Sequence, residues 1–401
     1  MKATALDPLS FCVTDLERLR EAGLERVVRS LAHSSAPEVV LPDGRVAVCL
    51  ASNNYLGLAA HPEVTAAAAD AALRLGAGAG SARLVTGGLA LHDELEARLA
   101  AFKGTPAALL FSSGYLANLG TVTALVGPGD AVFSDELNHA SIIDGSRLSK
   151  AAVHVYRHGD AGHLDELLRA WDGAGKGERH GGEPRRALVV TDSVFSMDGD
   201  LAPLPELVTV CERHGAILMV DEAHATGVVG PGGRGAVAHF GLEGRVPVVM
   251  GTLSKSLGAA GGFIAGSEAL CAFLRHRARS FVFDTALPPP TAAAALAALG
   301  VLEREPGRAG RVRWLARCLT DGLAEAGYPV PTPDAAVIPV VVGEPAAALD
   351  LARGLLERGV LAVAIRPPSV PEGTSRLRVT VMATHTDDHL DLALEAFRAL
   401  R

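Results

Sequence analysis

The chain has 401 residues, with 37 Lys+Arg against 45 Asp+Glu, a formal net charge of −8, 49% hydrophobic and 20% charged residues. At roughly 100–200 residues per domain the length implies two or three structural units, and the composition is globular, which disfavours disorder and a general nucleic-acid binder. The 44 glycines and 4% aromatic content fit a loop-rich enzyme packed with small residues.

In chain order, residues 1–31 lack the apolar core of a secretory signal, being broken by Asp7, Asp15, Glu17, Arg18 and Arg20. Residues 14–32 carry Leu16, Leu19, Val27, Val28 and Leu31 among charges, the pattern of an amphipathic helix or arm. From residue 51 helical and strand patterns alternate. Leu91, Leu95, Leu99 and Phe102 share one helix face, whereas residues 107–111, 131–133, 187–191, 217–220 and 246–250 read as short buried strands. This alternation implies an α/β domain with a largely parallel sheet. Residues 172–186, Gly-rich and charged, read as a solvent loop. The most apolar stretch, residues 286–302, contains Pro288, Pro289 and Pro290 and is shorter than the ~20 residues that span a bilayer, so no membrane segment is expected. Longer helices and strands at 337–342, 360–365 and 377–381 follow. The expected organisation is an N-terminal arm (1–50), a large domain (51–289) and a smaller C-terminal α/β domain (290–401). Cys12, Cys49, Cys211, Cys271 and Cys318 stand singly, without the spacing of a zinc site or a disulfide framework, and suit a reducing cytoplasm.

Three motif matches fail on context. Residues 230–235 fit G-x-G-x-x-G, but Pro231 sits inside and no acidic residue follows about 20 positions on; a mobile loop is the better reading. Asp221, Glu222, Ala223 and His224 spell DEAH, yet no phosphate-loop G-x-x-x-x-G-K-[ST] exists in the chain. The same acidic and imidazole groups lack a second cluster to complete a metal site, and no metal is expected.

A larger constellation survives. Asp221 follows an apolar strand at its carboxyl end, where open α/β sheets bind ligands. A second apolar strand runs into Gly251, Thr252, Leu253, Ser254 and Lys255, and a lysine there is costly to bury unless paired or chemically used. Upstream, residues 111–118 join a strand to a helix whose first N–H groups could hold a phosphate. Together these suit pyridoxal 5′-phosphate, which needs a lysine for the Schiff base, an acid for the pyridinium nitrogen and an anion cradle. His139 could offer its ring to the cofactor, but a lone histidine is more often a surface or capping residue, and spacing alone does not assign it.

On these residues, and on the segments 51–58 (ASNNYLGL), 80–87 (GSARLVTG), 192–200 (DSVFSMDGD), 221–227, 252–258 and 366–371 (RPPSVP), the chain resembles the α-oxoamine synthase family of fold-type I pyridoxal-phosphate enzymes. The resemblance implies an aspartate aminotransferase-like fold, with a large domain on a mostly parallel sheet and a smaller C-terminal domain. It implies Lys255 as Schiff-base lysine and proton acceptor, Asp221 as partner of the ring nitrogen, His224 as donor to the ring hydroxyl, and His139 as the stacked residue. Gly114 and Tyr115 match the phosphate-side turn, Ser196 and Thr252 further cofactor contacts, and Thr285 a phosphate contact reaching from a neighbouring subunit. Arg378 matches the arginine that holds the amino-acid carboxylate, a role its fork suits. Asn53 and Ser369 match substrate contacts, Ser369 standing where the family has threonine; Arg26, with Arg29 as competitor, matches the N-terminal substrate arginine.

The implied activity is an acyltransferase reaction of biotin biosynthesis, the decarboxylative condensation of L-alanine with a pimeloyl thioester of coenzyme A or a carrier protein, in a cytoplasmic homodimer with shared active sites. Sister enzymes that use glycine with acetyl-CoA, glycine with succinyl-CoA or serine with palmitoyl-CoA share nearly all the motifs. Arg366, before Pro367 and Pro368, is the discriminating feature, since a dicarboxylic acyl group needs a cation that a plain acyl group does not. An aminotransferase or lyase, and a non-enzymatic cofactor binder, are the readings from other classes.

Overall fold

The computed structural model of the chain describes residues 8–33, 35–173 and 184–401. Among these residues the strands are β1 (Glu38–Val40), β2 (Val46–Cys49), β3 (Ala107–Phe111), β4 (Ala131–Asp135), β5 (Ala152–Tyr156), β6 (Ala187–Asp192), β7 (Ile217–Asp221), β8 (Val248–Thr252), β9 (Gly262–Gly266), β10 (Val337–Gly343), β11 (Val360–Leu361), β12 (Val363–Ile365) and β13 (Ser375–Thr380). Seven form the main sheet in the order β3-β9-β8-β7-β6-β4-β5. The pairs β5–β4, β4–β6, β6–β7 and β7–β8 are parallel; β9 runs antiparallel between β3 and β8.

The central strands are near-continuous apolar runs because helices cover both faces, as parallel sheets require. Successive residues alternate between two cores: Leu188, Val190 and Met219 go to one, Val189, Leu218 and Val220 to the other. The chain reverses between β8 and β9 through a tight loop in which Gly258 (φ +61°) and Gly261 (φ +117°) take left-handed conformations, and the Leu253 N–H donates to the Gly261 carbonyl (3.0 Å). A Cβ on Gly258 would lie 2.3 Å from the Ala59 backbone nitrogen. Only glycine allows this loop, which carries Lys255, to dock on residues 58–59.

Two small sheets complete the chain. β10, β13 and β12 are antiparallel, and β1 and β2 join β11, with Val48 opposite Val360, so residues on either side of the main sheet in sequence meet in space. The helix Pro289–Arg304 begins at the proline triplet, prolines being favoured in the first helical turn, and packs on the helices Pro62–Leu75 and Ala90–Lys103.

Several expectations are corrected. The N-terminal helix spans Ser10–Glu21 and buries no residue; Gly23 (φ +66°) ends the helical path, and the following residues up to 31 form no helix. The strand expected at 246–250 runs Val248–Thr252, because Pro247 cannot donate to the ladder. β5 and β9 were not anticipated, β5 being a half-exposed edge strand and β9 a short run bounded by glycines. The run 360–365 divides into β11 and β12, in different sheets. Residues 230–235 are tied down, Gly227 donating to the Gly233 carbonyl (2.7 Å) and Gly235 to that of Val229 (2.9 Å). The middle of the solvent loop expected at 172–186 lies outside the described residues. Among the described residues no helix is long and apolar enough to cross a membrane, and no group of three His, Cys, Asp or Glu could hold a metal ion.

Candidate active site

The carboxyl ends of three adjacent parallel strands converge: β6 ends in Asp192, β7 in Asp221 and β8 in Thr252. Asp221 is 3% exposed. Its Oδ2 accepts from Asn118 Nδ2 (2.7 Å) and its Oδ1 from the Ala223 N–H (2.8 Å). Asn118 lies on the helix Gly114–Leu125 and also donates to Ser141 Oγ (2.9 Å), which joins the carboxylate to the helix Ala140–Ser149.

Lys255 retains some solvent contact, but its surroundings are dry enough that burial brings its pKa down to about 8, against the upward pull of Asp221 and Asp192; Arg378 pushes the same way as burial. At pH 7 about a tenth of the molecules would therefore carry a free amine there, where an ordinary lysine offers less than ~0.1%. His139 caps the helix Ala140–Ser149, its Nδ1 accepting from the Ser141 N–H (3.2 Å) and meeting Ser141 Oγ at 2.7 Å. Its backbone N–H donates to Asp192 Oδ2 (2.8 Å). His139 is exposed as a residue, yet neighbouring protein desolvates its ring enough to lower its pKa, with Asp221 acting upward and Lys255 downward. The capping role of His139 is thus observed, with Asp221 and Lys255 among the charges that act on its ring.

His224 is 5% exposed and held neutral, its pKa far below the usual value through burial and the Lys255 and Arg378 cations. Its Nδ1 meets the Tyr55 hydroxyl at 2.7 Å. The buried Arg378 donates through Nη2 to the same hydroxyl (3.1 Å), through Nη1 to Asn53 Oδ1 (3.0 Å), and through Nε to the Ser196 carbonyl. Three of its five N–H groups are thus engaged by protein, leaving one on each terminal nitrogen. Arg376, two residues along β13, donates to the Thr374 carbonyl (3.0 Å) and pairs with Asp198. Behind this loop His158 bridges Asp135 (3.1 Å) and Asp200 (2.9 Å), hydrogen bonds that push its pKa up to about 10.

The phosphate-side expectation falls on the start of the helix Gly114–Leu125. Ser113 Oγ accepts the Leu116 N–H (3.1 Å), and the N–H groups of Gly114 and Tyr115 have no intrahelical acceptor. A Cβ on Gly114 would stand 2.8 Å from Met250 Cε, so glycine lets this turn close on β8. Thr252 is buried beside it, bonded to the Gly261 carbonyl (2.9 Å) and Ser254 Oγ (2.8 Å).

Gly114, His139, Asp221, His224, Thr252, Lys255, Ser196, Asn53 and Arg378 thus share one connected region. The remaining expected residues lie at its margins. Tyr115 is exposed and bonds Asp144. Thr285 is exposed; its N–H meets Asp284 Oδ1 (2.9 Å), and Asp284 accepts from Ser112. Arg26 and Ser369 are exposed. Ser369 donates its N–H to the Arg366 carbonyl (3.1 Å) and lines a cleft of about 460 Å³ with Leu137, Ile143, Phe195, Met197 and Val370. Arg366 donates to the carbonyls of Gly23 and Glu25 (3.2 Å to the latter), which seats it beside Arg26.

Sequence reasoning passed over Asp192, Asn118 and Tyr55. Asp192 carries the signal already used for Asp221, an acidic residue closing an apolar strand; Tyr55 and Asn118 become visible only through their partners. A primary amine of lowered pKa, a buried carboxylate, two imidazoles and a glycine-built helix N-terminus form a donor set that fits pyridoxal phosphate.

The aminotransferase class I and II family matches residues 46–397. The 8-amino-7-oxononanoate synthase of Anaeromyxobacter dehalogenans (strain 2CP-1) is 52% identical, over 98% of this chain and 96% of its own length. A structure of serine palmitoyltransferase with its pyridoxal-phosphate internal aldimine superposes with a TM-score of 0.90 at 34% identity, over 99% of this chain and 98% of that one. The 8-amino-7-oxononanoate synthase structure from Francisella tularensis gives a TM-score of 0.72 at 26% identity, over 88% and 97% of the two chains.

Proposed function

Because the chain belongs to the aminotransferase class I and II family, with the fold-type I architecture of its pyridoxal-phosphate enzymes, we propose that it catalyses the 8-amino-7-oxononanoate synthase step of biotin biosynthesis. L-Alanine and a pimeloyl thioester, of coenzyme A or a carrier protein, are the substrates, and carbon dioxide and the thiol are released. The observation that carries the reading is the Lys255 amine, brought to about pKa 8 beside the β7 carboxylate. Fold similarity does not separate the sister enzymes, since serine palmitoyltransferase superposes with a higher TM-score than the Francisella tularensis synthase; the choice among them rests on the 52% identity to the Anaeromyxobacter dehalogenans synthase over nearly the whole chain.

In this reading Lys255 would hold the cofactor, Asp221 would pair with its ring nitrogen, His224 would donate to its ring hydroxyl, His139 would stack on its ring, and the Gly114–Tyr115 turn with Thr252 would receive its phosphate. Bound pyridoxal phosphate supplies an electron sink for the bonds at the substrate α-carbon. Arg378 retains the amino-acid carboxylate with its two uncommitted N–H groups, and Asn53 and Ser196 hold Arg378 in place. With the substrate bound, Lys255 Nζ would accept the α-proton and, after carbon dioxide is lost, return a proton to the same carbon; a pKa near 8 suits both transfers at neutral pH. The Ser369 cleft takes the acyl chain, and Arg366 with Arg26 meets its distal carboxylate. The exposed apolar residues of the N-terminal helix, Phe11, Val13 and Leu16, support a homodimer in which Thr285 reaches the neighbouring site. Five unpaired thiols support a cytoplasmic location.

A coenzyme A release assay crossing alanine, glycine and serine with pimeloyl-, acetyl-, succinyl- and palmitoyl-CoA tests the assignment. Preference for alanine with pimeloyl-CoA is expected. Preference for glycine with acetyl-CoA would overturn it, and amino transfer to keto acids without thiol release would move the enzyme to another class.

A further inference from the structure

Tyr55 is fully buried, and its hydroxyl lies between three polar groups: Arg378 Nη2 at 3.1 Å, Asn53 Oδ1 at 3.1 Å and His224 Nδ1 at 2.7 Å. Arg378 can only donate. The single phenolic proton therefore goes either to Asn53, leaving His224 to donate from Nδ1, or to His224, leaving its other nitrogen protonated. Two observations decide between these. Asn53 Oδ1, which also receives the Arg378 Nη1–H, lies 3.1 Å from the phenol oxygen, longer than the roughly 2.5–3.0 Å of an ordinary O–H···O bond. The His224 contact, at 2.7 Å, has the length of a bond donated by a hydroxyl, whereas ring N–H donors sit nearer 2.9–3.0 Å. A guanidinium on the phenol oxygen also makes its proton the better donor, since a charged partner strengthens the hydrogen bonds around it.

We propose that Tyr55 sets the tautomer of His224: it donates to Nδ1, so that Nε2 carries the ring proton. A neutral histidine has one donor and one acceptor nitrogen, and the partner of one determines the role of the other. Tyr55 is thus a positioning residue that makes His224 a hydrogen-bond donor through Nε2, and Arg378, through its bond to the phenol, ties that choice to the group assigned to the substrate carboxylate. The catalytic consequence rests on the assignment of His224 to the ring hydroxyl; the tautomer itself does not.

The test is a ¹⁵N-histidine correlation spectrum of the full-length protein at pH 7, with and without pyridoxal phosphate, His224 being assigned by its absence in His224→Gln. An Nε2–H tautomer of His224 without the cofactor is expected, with loss of that preference in Tyr55→Phe. An Nδ1–H tautomer or an imidazolium in the unsubstituted protein overturns the proposal, and so does an unchanged Nε2–H tautomer in Tyr55→Phe. The first readout needs only the His224→Gln assignment, so a Tyr55→Phe chain that fails to fold leaves the test intact. Failure of the enzymatic assignment would appear in the thiol-release assay and leave the cofactor-free spectrum unaffected.

Discussion

Asp192 and Asp221 occupy the same register position on the adjacent parallel strands β6 and β7, and each is only 3% exposed. Two carboxyl groups so placed cannot both ionise without cost. Burial, reinforced by the Asp221 charge, pushes Asp192 well above the carboxylate range, while the His139 N–H opposes the shift.

A raised folded-state pKa means that the folded chain holds a proton the unfolded chain releases near pH 4, so this group's contribution falls as pH rises through the window between the unfolded and folded pKa values. Asp192→Asn keeps an acceptor for His139 and needs no proton. Urea unfolding of the cofactor-free protein should show that the variant is at least as stable as the parent at pH 7, and that it loses part of the parent's decline as pH rises above the unfolded carboxyl value of ~4. A large loss of stability at pH 7 would show that the charged form is the one the fold uses.

Lys255 has the opposite protonation balance. Its folded pKa, about 8, lies below the ordinary value, so the folded chain binds fewer protons between the two, and stability rises with pH across that interval. Lys255→Met should abolish turnover and the borohydride-sensitive visible band. It should also raise the unfolding free energy of the cofactor-free protein at pH 7, read from urea titration, by up to ~3 kcal/mol, and the gap to the parent should narrow by pH 10.

Lys103 and Glu222 form an ion pair with both side chains almost fully buried, at 2.6 Å. Lys103 also donates to Thr226 Oγ1 (2.7 Å) and the Arg234 carbonyl (2.9 Å), and Glu222 accepts the Val237 N–H (2.7 Å). This lysine locks the loop that follows Asp221 and carries His224. Lys103→Met leaves a buried carboxylate unpaired, and equilibrium unfolding should show a loss of about 3–5 kcal/mol. The double variant Lys103→Met/Glu222→Gln should recover part of it.

Arg366 spends donors on the Gly23 and Glu25 carbonyls, so its removal should both free the segment bearing Arg26 and delete a cation. Arg366→Ala is expected to lower the pimeloyl-CoA over acetyl-CoA ratio of kcat/KM by roughly 10-fold or more, the scale of one charged hydrogen bond. It should also speed limited proteolysis near residues 22–32. An unchanged ratio would exclude Arg366 from acyl recognition.

Much of this protein is legible in its residue order because the relevant physics is local. A buried parallel strand needs an unbroken apolar run, and its carboxyl end is where a ligand binds, so 107–111, 187–191 and 217–220, with Asp221 and Lys255, stand out in the chain. The ordered segments around them were specific enough to identify a family and a cofactor. What the chain alone left open depends on groups distant in sequence. β5 and β9 are strands by virtue of their neighbours, and the edge position of β5 erases the apolar pattern that would announce it. Tyr55 lies 169 residues from His224 and 323 from Arg378, and Asn118 lies 103 from Asp221. Their roles arise when the fold closes them into one desolvated volume. Local sequence thus determined which groups could act, whereas protonation states, tautomers and partners were decided by tertiary structure, because desolvation and charge coupling are properties of the assembled neighbourhood.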